Sequence, residues 1–213
     1  MTTAHAHVHP QITARWPPDA QFGRTSSAKL AMWIFLLSDW LSFAGLLLAY
    51  GILRAGSAVW RHPGEPGLNV PFTCLLTLVL IASSISVIVA HDSAQAANRQ
   101  RTMLWLGITA LGGVLFLTGQ YAEWFGILHP GLTHEGLVFG RSAYASTFYV
   151  ITGFHGLHVT AGVIYLLAVL ARTARGVASA GEVELVALFW HFVDLIWNLV
   201  FVLVYLVPTG GGG

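Results

Sequence analysis

The sequence is poor in charge and nearly free of cysteine. Lys, Arg, Asp and Glu make up 9% of its 213 residues, whereas a soluble domain usually carries about 25%. Hydrophobic residues make up 55%, and the mean hydropathy is +0.69, so the composition indicates a membrane protein. The formal net charge of +1 lacks the basic character of a nucleic-acid-binding protein. A single cysteine, Cys74, excludes an internal disulfide.

Common catalytic motifs are missing as well. The sequence has no P-loop, no G-x-G-x-x-G after a strand, no H-E-x-x-H, and no serine or cysteine nucleophile beside a plausible base. No set of histidines has the spacing of a copper centre. His5, His7 and His9 alternate near the N-terminus, but without a fourth ligand we interpret them as part of a solvated tail. The residues alone therefore indicate a chain that does not carry out redox chemistry by itself.

Long apolar segments dominate the rest of the sequence, and each has the length of about 20 residues that a spanning helix needs. Their connections are too short to form a domain, so we predict an all-α integral membrane protein, a single bundle of transmembrane helices. The polar residues 1–28 are predicted to be a disordered tail, and residues 208–213 a flexible C-terminus. The five predicted helices of this membrane domain, 29–207, are 29–53, 71–91, 102–128, 142–170 and 185–207.

The distribution of positive charge predicts the orientation. Cytoplasmic segments of membrane proteins carry an excess of Lys and Arg. Seven of these residues lie in the N-terminal tail and in the second and fourth connections, and three lie on the other side. We therefore expect the N-terminus in the cytoplasm and the C-terminus outside. An odd number of helices agrees with this arrangement.

The fifth predicted helix carries a polar stripe in its middle. At 100° per residue, His191, Asp194 and Asn198 fall within about 60° of one another. A charged group in the middle of the bilayer costs about 2.5–3.5 kcal/mol, so the stripe is expected to face protein rather than lipid. His155 and His158 of the fourth helix are expected at a similar depth. We predict that these five residues form a structural polar layer in which His–Asp contacts hold the fourth and fifth helices together.

Three further polar residues are candidates for proton-related roles or for contacts with lipid or another subunit. Asp39 lies within the first helix, while Gln120 and Glu123 lie near the end of the third helix. Besides structural contacts between helices, the residues leave two other interpretations of the polar side chains open. One is a proton relay, because chains of intramembrane Asp, Glu and His mark such paths. The other is haem ligation by His191 together with a histidine of the fourth helix.

Two stretches resemble a known family. FYVITGFHGLHVTAG (148–162) and LFWHFVDLIW (188–197) are similar to the signature stretches of subunit III of haem–copper terminal oxidases, specifically cytochrome c oxidase subunit III. AKLAMWIFLLSDWLSFAGLLLAY (28–50) resembles the helix that carries the intramembrane acid of that family, and TGQYAEWF (118–125) resembles its Gln–x–x–Glu–aromatic stretch. The resemblance covers residues 28–207. It implies the short, five-helix bacterial form.

The resemblance implies a non-catalytic subunit of the bacterial plasma membrane. Such subunits bind no haem, copper or other metal, because these cofactors lie in partner subunits. They contact chiefly oxidase subunit I, together with subunit II and other subunits of the respiratory complex, and they bind phospholipid. The assembly reduces oxygen to water and pumps protons. Subunit III supports the stability of subunit I and its proton uptake, and is proposed to help oxygen reach it.

The electron donor stays open between two branches of the family. Asp39 occupies the position where the cytochrome c branch usually has glutamate, and the Ser38–Asp39 pair is similar to that of quinol oxidases. The Gln120–Glu123–Trp124 run and the stretch 142–159 resemble the cytochrome c branch more closely. We favour cytochrome c oxidase, with quinol oxidase subunit III as the alternative. A stand-alone haem cytochrome and a small transporter are the remaining hypotheses.

Overall fold

A computed structural model describes residues 26–127 and 130–207. Within these residues, all five long helices are long and apolar enough to cross a membrane. The predicted fold class is therefore confirmed, while the side on which each terminus lies remains a prediction. The last helix continues directly into a π-helical turn, Phe201–Leu206. The helices are α1 Ser27–Gly56, α2 Val70–Gln95, α3 Arg99–Phe125, α4 Ala143–Ala174 and α5 Ala180–Val200.

Each of these helices begins at a side-chain cap. The residue before the first turn accepts a hydrogen bond from a backbone N–H that would otherwise lack a partner. The caps are Ser26, Asn69, Asn98, Ser142 and Ser179. Ser179 also forms a capping box, because the Glu182 carboxylate accepts from the Ser179 N–H at 2.9 Å. This cap explains why α5 begins at residue 180, five residues before the predicted start.

Other predicted boundaries move for equally local reasons. The third helix was expected to reach residue 128, but α3 ends at Phe125 because Gly126 adopts φ +78°, a conformation that glycine tolerates. Of the predicted tail, residues 1–25 lie outside the described part of the chain, and Ser27 and Ala28 already belong to α1. The C-terminal segment 208–213 also lies outside the described residues.

Helix α5 lies at the centre of the bundle, packed against α2 and α4, and α2 and α3 pack closely along their length. The close approach of α2 and α3 depends on Gly112, since a Cβ there would lie 2.7 Å from the Ser83 Cβ. Helix α1 packs against α4 and α5 and leaves most of its apolar surface exposed. At the end where α1 begins, Lys29 forms an ion pair with Glu184 of α5.

Candidate functional site

The polar side chains inside the bundle fall into two levels. Asp39 lies about 18 Å along α1 from its first residue, at 1.5 Å per residue. The histidines and Asp194 occupy the middle of α4 and α5 in the same way. Glu123 instead lies two residues before the end of α3, near the start of α2 and the π-helical turn. We call this end of the bundle the Glu123 end.

Asp194 joins α5 to α2. Its carboxylate accepts a hydrogen bond from the Ser84 hydroxyl at 2.9 Å, and the Asn198 side chain donates to the Asp194 carbonyl oxygen at 2.8 Å. The expected contact with histidines of α4 is absent from the described part of the chain. The reason is geometric: the face of α5 that carries Asp194 is directed toward α2, so a serine of α2 supplies the donor.

Two tryptophans of α5 strengthen the same α2–α5 contact. The Trp190 Nε1–H donates to the Ser83 hydroxyl at 3.0 Å, and the Trp197 Nε1–H donates to the Thr77 hydroxyl at 2.9 Å. Both indoles are fully buried. Each hydroxyl in turn donates to a backbone carbonyl of its own helix, so every hydrogen of these pairs is used. Sequence reasoning missed this role of α2, although its hydroxyl-bearing stretch 77–90 was the available signal.

His158 pairs with α1 rather than with α5. Its Nε2 lies 3.1 Å from the Asp39 Oδ1, and its Nδ1 lies 2.7 Å from the Phe154 carbonyl oxygen. Because a carbonyl oxygen only accepts, the Nδ1 must carry a hydrogen. The Nε2–Oδ1 contact then contains a second proton, on either the imidazole or the carboxyl group. This buried pair therefore holds one proton that can move between its two partners.

His155 is surrounded by aromatic rings. Its ring centroid lies 4.9 Å from that of Trp197 and 5.7 Å from that of Phe116. Both ring nitrogens are buried, and neither makes a hydrogen bond within the described residues. The side chain thus contributes packing between α3, α4 and α5 rather than the expected hydrogen bond between helices.

His191 faces the groove between α1 and α5. This groove has a volume of about 360 Å³. Its walls are otherwise apolar, formed by Trp33, Leu36, Leu37, Trp40, Leu188, Phe192 and Leu195. His191 is half-buried, and none of the hydrogen bonds between described residues involves its ring. His191 and Asp194 share α5 but do not bond to each other, since Asp194 uses Ser84 and Asn198.

Glu123 is the centre of a separate hydrogen-bonded cluster. Its Oε1 lies 3.0 Å from the Thr73 hydroxyl of α2, and its Oε2 accepts from the Tyr205 hydroxyl at 3.0 Å. Gln120 donates its amide hydrogen to the same Oε2 at 3.1 Å. The cluster joins α2, α3 and the π-helical turn. The sequence placed Gln120 and Glu123 near the end of the third helix, but it did not predict their partners from the other elements.

The described side chains are not arranged as a metal site. Among the described residues, no three His, Cys, Asp or Glu side chains come together as a set of metal ligands. His155 and His191 are not paired as axial ligands, since His155 lies among aromatic rings and His191 lines the groove beside α1. The geometry supports helix-to-helix contacts and proton-holding pairs.

Comparisons with known proteins identify the family. The family model for cytochrome c oxidase subunit III matches residues 19–209. This chain belongs to that family. The cytochrome c oxidase subunit 3 of Synechocystis sp. is 35% identical over 92% of this chain and 84% of its own length. The probable cytochrome c oxidase subunit 3 of Nocardia farcinica is 36% identical over 97% of this chain and 100% of its own length.

Another relative comes from the quinol branch. The cytochrome bo(3) ubiquinol oxidase subunit 3 of Pseudomonas aeruginosa is 32% identical, with 82% of each chain covered. Together these findings confirm the family resemblance and the assignment to a bacterial terminal oxidase, as a non-catalytic, multi-pass subunit of the plasma membrane. They favour this function over a stand-alone haem cytochrome or a small transporter.

Proposed function

We propose that this chain is the peripheral subunit III of a cytochrome c oxidase whose partner subunits contain the haem and copper. The proposal rests on one observation: the intramembrane acids of this chain are directed toward its own helices. Asp39, Glu123 and Asp194 all bond to other helices of the chain itself, and the described residues form no cluster of metal ligands. Such a chain acts on oxygen reduction through its neighbour. Its main partner is subunit I, with subunit II in the same complex.

Helix α1 supplies the surface for that contact. Most of the large apolar side chains along α1 are exposed, although its polar Asp39 is turned inward against α4. The apolar exterior suits either lipid or another transmembrane subunit. The proposal predicts that the chain co-purifies in mild detergent with a large chain containing haem and copper. Recovery of the chain from its native membranes only as a monomer, without such a partner, would count against it.

Replacing Asp194 separates a structural role from a redox role. Asp194→Leu removes the acceptor of the Ser84 hydroxyl and loosens the contact between α2 and α5. We expect lower occupancy of subunit III in the purified complex and unchanged haem spectra. Ser84→Ala serves as the matched variant, because it removes the same hydrogen bond and keeps the carboxylate. Altered haem spectra in either variant would contradict the peripheral assignment.

The Asp39–His158 pair is proposed to support proton uptake by subunit I. The pair holds one movable proton within the bundle, and His158 also lines an open groove between α1 and α4. If the pair supplies protons, Asp39→Asn lowers the proton-pumping rate of the complex at constant haem content. A similar rate in complexes with and without this substitution would leave the pair a purely structural role.

Bound phospholipid is proposed for the groove between α1 and α5. Its walls, which are apolar apart from His191, suit an acyl chain. Native mass spectrometry of the complex provides the test, with Leu37→Trp as the variant that fills the groove. We expect the wild type to retain a lipid that this variant loses. Equal lipid content in both would contradict the site.

A quinol-oxidising complex is the second candidate. The Ser38–Asp39 pair favours it, and so does the similarity to the Pseudomonas aeruginosa subunit. The complexes differ in their donor, so oxygen consumption by the purified complex with reduced cytochrome c or with a quinol discriminates between them. Activity with quinol alone would replace the cytochrome c assignment and leave the subunit III assignment intact.

A further inference from the structure

Glu123 is a buried acid that takes no part in the Asp39–His158 and Asp194–Ser84 contacts in the middle of the bundle. It is 6% exposed and forms no ion pair with any described residue. Its carboxyl group has three hydrogen-bonding neighbours, namely Thr73, Gln120 and Tyr205. A charged carboxylate in such a place is costly, and hydrogen bonds offset part of that cost.

The Thr73 hydroxyl shows where an additional proton fits. This hydroxyl lies 2.9 Å from the Asn69 carbonyl oxygen and 3.0 Å from the Glu123 Oε1. A hydroxyl has one hydrogen, so it cannot donate to both oxygens at once. When Glu123 is ionised, Thr73 donates to the carboxylate. When Oε1 is protonated, Glu123 donates to Thr73, and Thr73 donates to the Asn69 carbonyl.

Both states keep the remaining hydrogen bonds of the cluster. Gln120 and Tyr205 donate to Oε2, which accepts equally well as a carboxylate oxygen or as the carbonyl oxygen of the neutral acid. The cluster also contains an acceptor without a donor, because the buried Gln120 Oε1 has no partner among the described residues. A proton can therefore be added or removed at Glu123 without moving a heavy atom.

A cavity lined by Glu123 lies at the Glu123 end of the bundle. The cavity has a volume of about 570 Å³ and lies between the start of α2, the end of α3 and the connection that follows α3. Glu123 forms part of its wall, and so do the exposed residues Asn69, Thr118 and Glu135. Asn69 belongs both to this wall and, through its carbonyl, to the hydrogen-bonded chain that starts at Glu123.

Among the residues that the structure describes, few other titratable groups lie around Glu123. Tyr205 comes from the π-helical turn, Tyr144 and Tyr149 come from α4, and Glu135 shares the cavity. The three tyrosines are neutral at ordinary pH, and Glu135 is exposed to solvent. None of these groups carries a positive charge that would hold Glu123 permanently ionised.

We propose that Glu123 is a proton-binding site that exchanges protons with the aqueous phase at the Glu123 end through this cavity. The step is a simple protonation, in which a proton from water adds to Oε1 while Thr73 turns its hydrogen from Glu123 to Asn69. The site is separate from the Asp39–His158 pair, which lies deeper in the bundle on another helix contact. The proposal does not depend on whether cytochrome c or quinol is the electron donor.

Infrared spectroscopy of the purified oxidase complex tests the proposal. Lowering the pH is expected to produce a carbonyl stretching band of a protonated carboxyl group that shifts in D₂O and is missing from Glu123→Gln. Glu135→Gln is the matched control, since it removes an exposed acid of the same cavity and leaves the band in place. Tyr205→Phe removes a donor to the carbonyl oxygen and is expected to move the band to higher frequency.

Sidedness is tested in vesicles. The C-terminal end of α5 and the π-helical turn lie at the Glu123 end, so a C-terminal tag that protease can reach marks vesicles in which this end is outside. The band is expected to follow external pH in these vesicles. The proposal is overturned if the wild type shows no such band at any pH at which the complex is intact. It is also overturned if Tyr205→Phe leaves the frequency of the band unchanged, or if the band responds to internal pH alone. The measurements on the wild type and on Tyr205→Phe decide the matter even where Glu123→Gln does not assemble.

Discussion

Gly113 of α3 is the position at which one added methyl group should most clearly disturb the bundle. A Cβ at this residue would lie 2.5 Å from the Trp190 Cη2 and 2.6 Å from the Val163 Cγ2. Carbon atoms pack best at about 3.5–4.0 Å, so both neighbours would have to move by roughly 1 Å. Trp190 is fully buried and bonded to Ser83, which restricts its movement.

We expect Gly113→Ala to lower the free energy of unfolding by about 1–3 kcal/mol, the usual cost of overpacking. This change lowers the folding equilibrium constant roughly 5- to 140-fold, since every 1.4 kcal/mol is a factor of ten. Gly107→Ala on the same helix is the matched control, because nothing lies within 4 Å of the added Cβ. Alanine favours a helix over glycine by up to about 1 kcal/mol, so the control is expected to be neutral or stabilising.

Unfolding of the purified chain by SDS in mixed micelles, followed by helical circular dichroism, measures both variants against the wild type. The amount of subunit III retained in the purified complex gives an independent readout. The packing argument fails if Gly113→Ala is as stable as Gly107→Ala. It also fails if both variants are destabilised equally, because the loss would then come from the helix and not from the contact with Trp190.

Two other substitutions test single hydrogen bonds. Thr77→Val keeps the shape of the side chain but leaves the buried Trp197 N–H without its acceptor, so a loss of about 1–3 kcal/mol is expected in the same SDS assay. Thr118→Val is its control, since that hydroxyl is exposed and bonds within its own helix; an equal loss in both would contradict the reasoning. Ser179→Ala removes the capping box of α5 and is expected to cost about 0.5–2 kcal/mol, with faster hydrogen exchange in the first turn of α5. Unchanged exchange there would show that packing alone holds this turn.

Sequence periodicity indicated where the polar groups lie along each helix, but it did not indicate which neighbouring helix each of them contacts. The stripe of His191, Asp194 and Asn198 predicted a face of α5 turned away from lipid. Asp194 is turned toward another helix, whereas His191 lines the groove between α1 and α5. The partner proved to be Ser84 of α2 and not a histidine of α4. A periodic pattern determines a face of one helix, while the choice of neighbour depends on how all the helices pack. Hydroxyl groups of α2 were overlooked because serine and threonine bond to their own backbone in most helices, which hides their capacity as acceptors.

The amino-acid sequence by itself determined the membrane class, the number of spanning helices and the family. These properties depend on hydrophobic length and on local motifs, which are local along the chain. Only the tertiary structure decided that Asp39 pairs with His158, that His155 is surrounded by rings and that Glu123 meets Thr73 and Tyr205. Those contacts join residues 42 to 119 positions apart, so they depend on the packing of whole helices and not on any local pattern.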